Sequence, residues 1–140
     1  MPRAYEYRHV VTFEDTNLLG NVYYANYMSW QGRCRESFLL EHTPELLQDM
    51  SNGLCLVTVY CSCEYLAELW AFDKVIVRMY IDDITQHYLT MRFEYVRVND
   101  ASGELVARGT QRVACMRRSG GRTLPEPIPQ QLRTALQSYT

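Results

Sequence analysis

The residues of this chain with the most chemical potential lie between residues 13 and 38, in the segment FEDTNLLGNVYYANYMSWQGRCRESF. Its first part is a polar loop that contains Asp15 and Asn17, and its second part contains Arg35 and Glu36. Because an amide has no basic lone pair near neutral pH, Asn17 can donate hydrogen bonds but cannot activate water as a carboxylate does. The planar fork of Arg35 suits two oxygen atoms at once.

A long helix is predicted to carry the second half of this segment, from about residue 24 to residue 41. That stretch contains neither proline nor a β-branched residue, and its apolar side chains recur at steps of three and four. They are Tyr27, Trp30, Cys34 and Phe38. This spacing places them on one face of the helix, which we expect to pack against the rest of the protein.

The remainder of the chain changes to a period of two after breaks at Pro44 and Gly53. Strands are predicted at 5–13, 54–66, 74–84, 87–98 and 104–117, and a short helix near 129–137. In the fourth of these strands Leu89, Met91, Phe93 and Tyr95 alternate with polar residues, and NDASG at 99–103 is a strong hairpin signal. One early helix followed by strands with short connections is typical of an α+β fold with an antiparallel sheet.

Length and composition favour one soluble domain that spans 1–140. The chain has 140 residues, of which 47% are hydrophobic and 21% charged. The apolar stretches are shorter than the roughly 20 residues that cross a bilayer, so no membrane association is expected. A net charge of −2, with the basic residues scattered, gives no support to nucleic-acid binding. Such a small domain has little room for a private ligand cavity, so a long substrate would need a groove or a subunit interface.

The cysteines and histidines suggest neither disulfides nor a metal site. Five cysteines in a chain whose N-terminus lacks a secretory signal favour reduced thiols and a cytoplasmic location. His9, His42 and His87 do not have the spacing of metal ligands. We therefore expect no metal and no cofactor.

The segment 13–38 resembles the signature of the 4-hydroxybenzoyl-CoA thioesterase-like branch of the hotdog superfamily. In that signature an aromatic residue, a D-x-D-like pair and a glycine precede a V-Y/F-Y/H-x-N-Y motif that enters the central helix. The matching residues are Phe13, Asp15, Gly20, Val22, Tyr23, Tyr24, Asn26 and Tyr27. The resemblance implies a hotdog fold, with a long central helix wrapped by an antiparallel sheet of about five strands, and thioester hydrolysis as the activity.

The chain departs from this signature at Asn17, where the family usually has its catalytic carboxylate. Together with the start AYEYRHVVTFEDTN and the helix motif W-Q-G-x-C-R-E, this resembles a narrower group, the thioesterases that accompany iterative polyketide synthases of enediyne biosynthesis. That group has Asn at this position and relies on an arginine that matches Arg35. Its members release a polyene, typically β-keto, acyl group from the acyl carrier protein of the synthase.

The resemblance implies a role for each candidate residue. Asn17 would donate a hydrogen bond or hold water, and Arg35 would bind the acyl carbonyls. Backbone N–H groups around Tyr23 and Tyr24, which are expected to be unpaired donors at the positive end of the helix dipole, would form the oxyanion hole. Glu36 is a further candidate base. The residues expected to contact substrate are Tyr23, Tyr27, Trp30, Tyr65 and Trp70.

Each assignment has a structural alternative. Arg35 could face solvent or pair with Glu41 or Gln31, Asn17 could shape a turn, and a helical glutamate such as Glu36 is usually solvated. The aromatic residues could fill a core.

Three functions therefore remain open. They are a carrier-protein thioesterase whose β-keto product loses carbon dioxide to give a methyl ketone, a general acyl-CoA thioesterase for aromatic or medium-chain acyl groups, and an acyl-binding protein without catalysis. The expected partners are an acyl carrier protein, the polyene acyl substrate and further copies of the chain, as a dimer or a dimer of dimers. In that assembly one protomer would give the Asn17 loop and another part of the pocket wall.

Overall fold

The fold is a curled antiparallel sheet around one long helix, seen in a computed structural model that describes residues 2–140. The strands are β1 (Tyr5–Val10), β2 (Leu54–Tyr65), β3 (Lys74–Ile84), β4 (Tyr88–Arg97), β5 (Glu104–Ser119) and β6 (Arg122–Pro125). The α-helices are α1 (Ala25–His42), α2 (Pro44–Met50) and α3 (Gln130–Gln137), and a 3₁₀ turn spans Phe13–Asp15. The strand order is β1-β3-β4-β5-β2, with β6 paired to β5, which confirms the α+β hotdog prediction.

The predicted faces of α1 and β4 form the core. All four residues of the helical stripe are buried, and so are the four alternating residues of β4. They pack in one continuous cluster, in which the Tyr27 ring is tilted against Trp30 and meets Tyr95 edge-on. The helix lies across the concave face of the sheet, so its residues that point inward also reach β2 and β5.

Two elements were missed by the sequence patterns. Pro44, interpreted as a break, is the first residue of α2, where its missing N–H costs nothing because the first helical N–H groups have no intrahelical partner. The short strand β6 is exposed along its whole length, so it has no apolar alternation to reveal it. It returns from β5 through Gly120 and Gly121, which both have positive φ. The sheet therefore has six strands rather than about five.

Gly109 of β5 lies directly against the side chain of Gln31 on α1. A Cβ atom at this position would overlap the side-chain amide of Gln31 on α1 and the carbonyl of Ser62 on β2. We expect Gly109→Ala to lower the free energy of unfolding by about 2 kcal/mol, as measured by urea denaturation, because a backbone carbonyl cannot move aside cheaply.

Gly32 provides the matched control for this substitution. It lies on α1, and a Cβ atom there would have nothing within 4 Å. Gly32→Ala should therefore be neutral or stabilise the protein by up to about 1 kcal/mol through helix propensity. Equal unfolding midpoints for the two alanine variants would contradict the close helix-to-sheet approach.

Candidate active site

The loop before α1 holds Asn17 in a fixed turn. The Oδ1 atom of Asn17 accepts a hydrogen bond from the Leu19 N–H at 2.9 Å, and its backbone N–H and carbonyl bond to Asn21 and Gly20, each at 2.9 Å. Gly20 has a φ of 95°, a conformation that would be strained for a residue with a side chain. The side-chain oxygen of Asn17 thus shapes the turn, while its Nδ2 group donates to no atom of residues 2–140. The turn alternative and the donor role are compatible, because they use different atoms of the same amide.

Asp15 holds this loop in place through hydrogen bonds and is a poor candidate for the general base. Its carboxylate accepts hydrogen bonds from the Thr12 N–H at 2.9 Å and from the Thr12 hydroxyl at 3.2 Å, and it lies 2.9 Å from His9 Nε2. Partial burial alone would raise the pKa of Asp15, but these hydrogen bonds outweigh it and hold the pKa below its usual value. The Asp15 carbonyl also accepts from Asn26 Nδ2 at 2.7 Å, which ties the loop to α1.

The start of α1 presents backbone donors, although one predicted donor is used elsewhere. The Tyr23 N–H donates to the Asp15 carbonyl at 2.9 Å, so the prediction that it is unpaired is wrong. The N–H groups of Tyr24 and Ala25 have no acceptor within the part of the chain that the structure describes. The Tyr65 hydroxyl donates to the Tyr24 carbonyl at 2.8 Å and so ties the end of β2 to the helix start.

Arg35 is turned into the protein rather than toward solvent. Its Nη1 donates to Gln111 Oε1 at 2.7 Å and, more weakly, to Thr58 Oγ1 at 3.4 Å. It forms no ion pair with Glu41 and no hydrogen bond to Gln31, so neither predicted alternative pairing occurs. Burial lowers the pKa of Arg35 despite the nearby Glu36, yet a guanidinium remains charged at neutral pH.

The Nε–H of Arg35 is a buried donor without an acceptor among residues 2–140. A donor in this condition typically costs 1–3 kcal/mol, roughly, and the cost is recovered when an acceptor reaches it. The Arg35 guanidinium is therefore a charged group that its own protomer satisfies only in part.

An apolar cleft of about 330 Å³ opens beside Arg35. Its walls come from α1, α2 and β2. The lining residues are Arg35, Glu36, Leu39, Leu47, Met50, Leu54, Cys55 and Leu56. Glu36 is exposed at the cleft and takes part in no ion pair within the described chain, which leaves its solvated and catalytic interpretations both open.

The predicted substrate-contacting aromatics fall into two groups. Tyr23, Tyr65 and Trp70 are at least 40% exposed, around the loop and the helix start. In contrast, Tyr27 and Trp30 are only 3% and 1% exposed, because they pack between α1 and the sheet. In the protomer these two rings are core residues, as the packing alternative expected, and none of the five predicted aromatics lines the cleft beside Arg35.

Gln111, which contacts Arg35, was not predicted, and Gln31 was named only as an alternative pairing partner of Arg35. Gln31 and Gln111 are fully or almost fully buried, at 0% and 5% exposure. Gln111 Nε2 donates to Gln31 Oε1 at 3.4 Å, and Gln31 Nε2 donates to the Ser62 carbonyl at 3.0 Å. A signal was present, since Gln31 interrupts the apolar face of α1 and Gln111 occupies an inward position of β5.

These features define the class of the protein as a hotdog-fold thioester hydrolase. Residues 11–136 match the family model of the Thioesterase-like superfamily, and the chain belongs to that family. No helix within residues 2–140 is long and apolar enough to cross a membrane.

The chain is also similar to individual thioesterases. The dynemicin thioesterase, studied in crystal structures with bound polyene, is 50% identical with a TM-score of 0.93, over 97% of this chain and 96% of that one. A 1,4-dihydroxy-2-naphthoyl-CoA hydrolase of Thermosynechococcus vestitus is 28% identical over 134 residues, which are 93% of this chain and 89% of the relative. A 1,4-dihydroxy-2-naphthoyl-CoA thioesterase from Synechocystis shares the fold, with 23% identity, a TM-score of 0.85 and coverage of 96% of both chains.

Proposed function

We propose that this thioesterase hydrolyses a β-keto polyene acyl thioester carried by the acyl carrier protein of an iterative enediyne polyketide synthase. One observation carries the proposal: a single cationic group, Arg35, lies at an otherwise largely apolar cleft. A β-keto polyene has the matching chemistry, with two carbonyl oxygens at the reacting end and a long flat hydrocarbon behind them. The 50% identity to a thioesterase described with bound polyene supports this substrate class.

The proposed reaction depends on hydrogen-bond donors rather than on a carboxylate at position 17. Water attacks the thioester carbonyl, the C–S bond breaks, and the thiolate leaves and takes up a proton. The Tyr24 N–H and the Asn17 Nδ2 group stabilise the oxyanion, each contributing about 3 kcal/mol if well placed. Arg35 binds the β-keto oxygen together with the neighbouring thioester oxygen, and afterwards the carboxylate released. The free β-keto acid then loses carbon dioxide and gives a methyl ketone.

A second copy of the chain is needed to bring these groups together. Ten residues of α1 separate Ala25 from Arg35, a length of about 15 Å at 1.5 Å per residue. One substrate carbonyl therefore cannot contact both the Tyr24 N–H and the Arg35 guanidinium of the same protomer. The strand β2 is at the edge of the sheet. Its Tyr65 hydroxyl donates a hydrogen bond to the helix start, and its Thr58 hydroxyl accepts one from Arg35. Antiparallel pairing of two β2 edges would direct the Arg35 side of one protomer toward the helix start of the other.

The carrier preference tests this proposal. With the same β-keto polyene acyl group, we expect kcat/KM for the acyl carrier protein thioester to exceed that for the CoA thioester by about tenfold or more, as a carrier contact worth only 1.4 kcal/mol would produce. Mass spectrometry should detect the methyl ketone as the product. A preference for CoA in this comparison would displace the carrier-protein assignment.

The second candidate function is hydrolysis of an aromatic acyl-CoA. It is favoured by the relatives at 27–28% identity, which are named as 1,4-dihydroxy-2-naphthoyl-CoA hydrolases and align with 93–94% of this chain. The same assay with an aromatic acyl-CoA distinguishes the two functions. Faster turnover of that substrate than of the carrier-bound polyene would favour this second function.

A further inference from the structure

We propose that Gln111, supported by Gln31, is the positioning residue for Arg35 and leaves one edge of its guanidinium for the paired oxygens of a β-dicarbonyl acyl group. The inference rests on the proposed function and deepens it, since it names the part of the substrate that this side chain recognises. Neither glutamine reaches the reacting atoms; they act through Arg35.

The three side chains form a chain of hydrogen bonds that all run in one direction. Arg35 Nη1 donates to Gln111 at 2.7 Å, Gln111 donates to Gln31 at 3.4 Å, and Gln31 donates to the Ser62 carbonyl at 3.0 Å. Each amide thus accepts through its oxygen and donates through its nitrogen, so its orientation is determined by both neighbours. Aligned bonds of this kind polarise one another, which strengthens the acceptor that Arg35 meets.

The burial of this chain indicates that it has a purpose beyond packing. An apolar pair of residues would fill the same volume without the cost of burying two amides. The sheet even makes room for the Gln31 amide, because Gly109 has no side chain where that amide lies. The network ends on one atom of Arg35, so its effect is to fix the plane and direction of that guanidinium.

The opposite edge of the guanidinium has no hydrogen-bond acceptor within the described part of its own protomer. Nη1 is engaged by Gln111, whereas neither Nε nor Nη2 has an acceptor within residues 2–140. These two atoms form the second fork of the planar group, which matches two oxygens side by side. A β-keto thioester has two such oxygens, whereas a saturated acyl thioester has one. In this orientation Arg35 favours β-keto acyl thioesters over saturated ones, because only the former have a second carbonyl oxygen.

The test compares each variant on a β-keto acyl thioester and on the saturated acyl thioester of the same length. The ratio of the two kcat/KM values is the readout, because damage to folding alone would lower both values together. We expect Gln111→Leu to lower this ratio about tenfold, the size of one hydrogen bond to a charged group. Gln111→Glu retains an oxygen acceptor for Nη1 but loses the donor to Gln31, so its ratio should lie between those of Gln111→Leu and the unmodified protein.

Two further variants complete the design. Gln137→Leu makes the same chemical change at an exposed position of α3 and should leave both values unchanged. Combining Gln111→Leu with Arg35→Ala should lower the ratio no further than Arg35→Ala alone, because the glutamine acts only through the arginine.

The outcomes separate this inference from the proposed function. If Arg35→Ala lowers the ratio and Gln111→Leu does not, the positioning role is wrong and the proposed function stands. If Arg35→Ala itself leaves the ratio unchanged, recognition of the second carbonyl by Arg35 is wrong and this inference fails, whereas the proposed function is decided separately by the comparison of carrier-protein and CoA thioesters. Additive losses in the double variant would also overturn the positioning role.

Discussion

Arg35→Ala is expected to lower kcat/KM for a β-keto acyl thioester by about 100-fold or more. The substitution removes a charged, two-pronged donor from an apolar cleft, and losses of about 3 kcal/mol are typical for such a group. It also leaves the buried Gln111 oxygen without its short hydrogen bond. Steady-state kinetics on the carrier-bound substrate measures the loss, and thermal unfolding by circular dichroism shows whether the fold is retained.

Two arginine variants make this prediction specific. Arg35→Lys keeps the positive charge but loses the planar fork, so its kcat/KM should lie between those of the unmodified protein and Arg35→Ala. Arg118 is exposed near the C-terminal end of β5, away from Gln111 in the middle of that strand, and Arg118→Ala should leave turnover unchanged. Full activity of a folded Arg35→Ala protein would show that the cleft recognises its substrate without a cation.

Asn17→Asp is expected to lower kcat by about 100-fold, with a smaller change in KM. An aspartate oxygen can still accept from the Leu19 N–H, so the turn should survive. However, the substitution exchanges a donor for a negative charge beside the developing oxyanion, which is unfavourable. The deficit should shrink as the pH falls toward about 4, where the new carboxyl becomes neutral.

Asn52→Asp gives the same chemical change at an exposed position just before β2, and it should leave kcat unchanged. The opposite result at position 17 would also be informative. A gain in activity of Asn17→Asp would mean that the scaffold works better with the carboxylate that most of its family uses. The role assigned to the amide would then be wrong.

Most of the fold could be predicted because local patterns and tertiary packing agree. The inward positions of α1 and β4 are apolar at the spacing of their own element, and the NDASG turn has residues suited to tight turns. Gly103 adopts a positive φ at the end of that turn. The two elements that the patterns missed, β6 and α2, lack this agreement. The strand β6 is exposed on both faces, and Pro44 favours a helix start as much as a break.

The site could be predicted only in part. The resemblance pointed to Asn17 and Arg35, but it gave no information on the partners of their side chains. The contact between Arg35 and Gln111 joins residues 76 positions apart, and only the register of β5 against β2 places it. A buried glutamine also looks like a surface residue until the neighbouring strand is known. The hydrogen bond from the Tyr23 N–H to the Asp15 carbonyl depends on how the loop folds back onto the helix start, which the sequence pattern does not show.

The central helix α1 also fixes the distance and the relative rotation between two parts of the site. The turn at its start presents the Tyr24 N–H, and eleven residues further along the chain Arg35 contacts Gln111 on the sheet. One inserted or deleted residue between them would rotate Arg35 by about 100° around the helix axis and turn it away from the strand. Length variation among functional relatives should therefore be confined to the surface turns, such as 99–103 and 119–122, and be absent between residues 25 and 35.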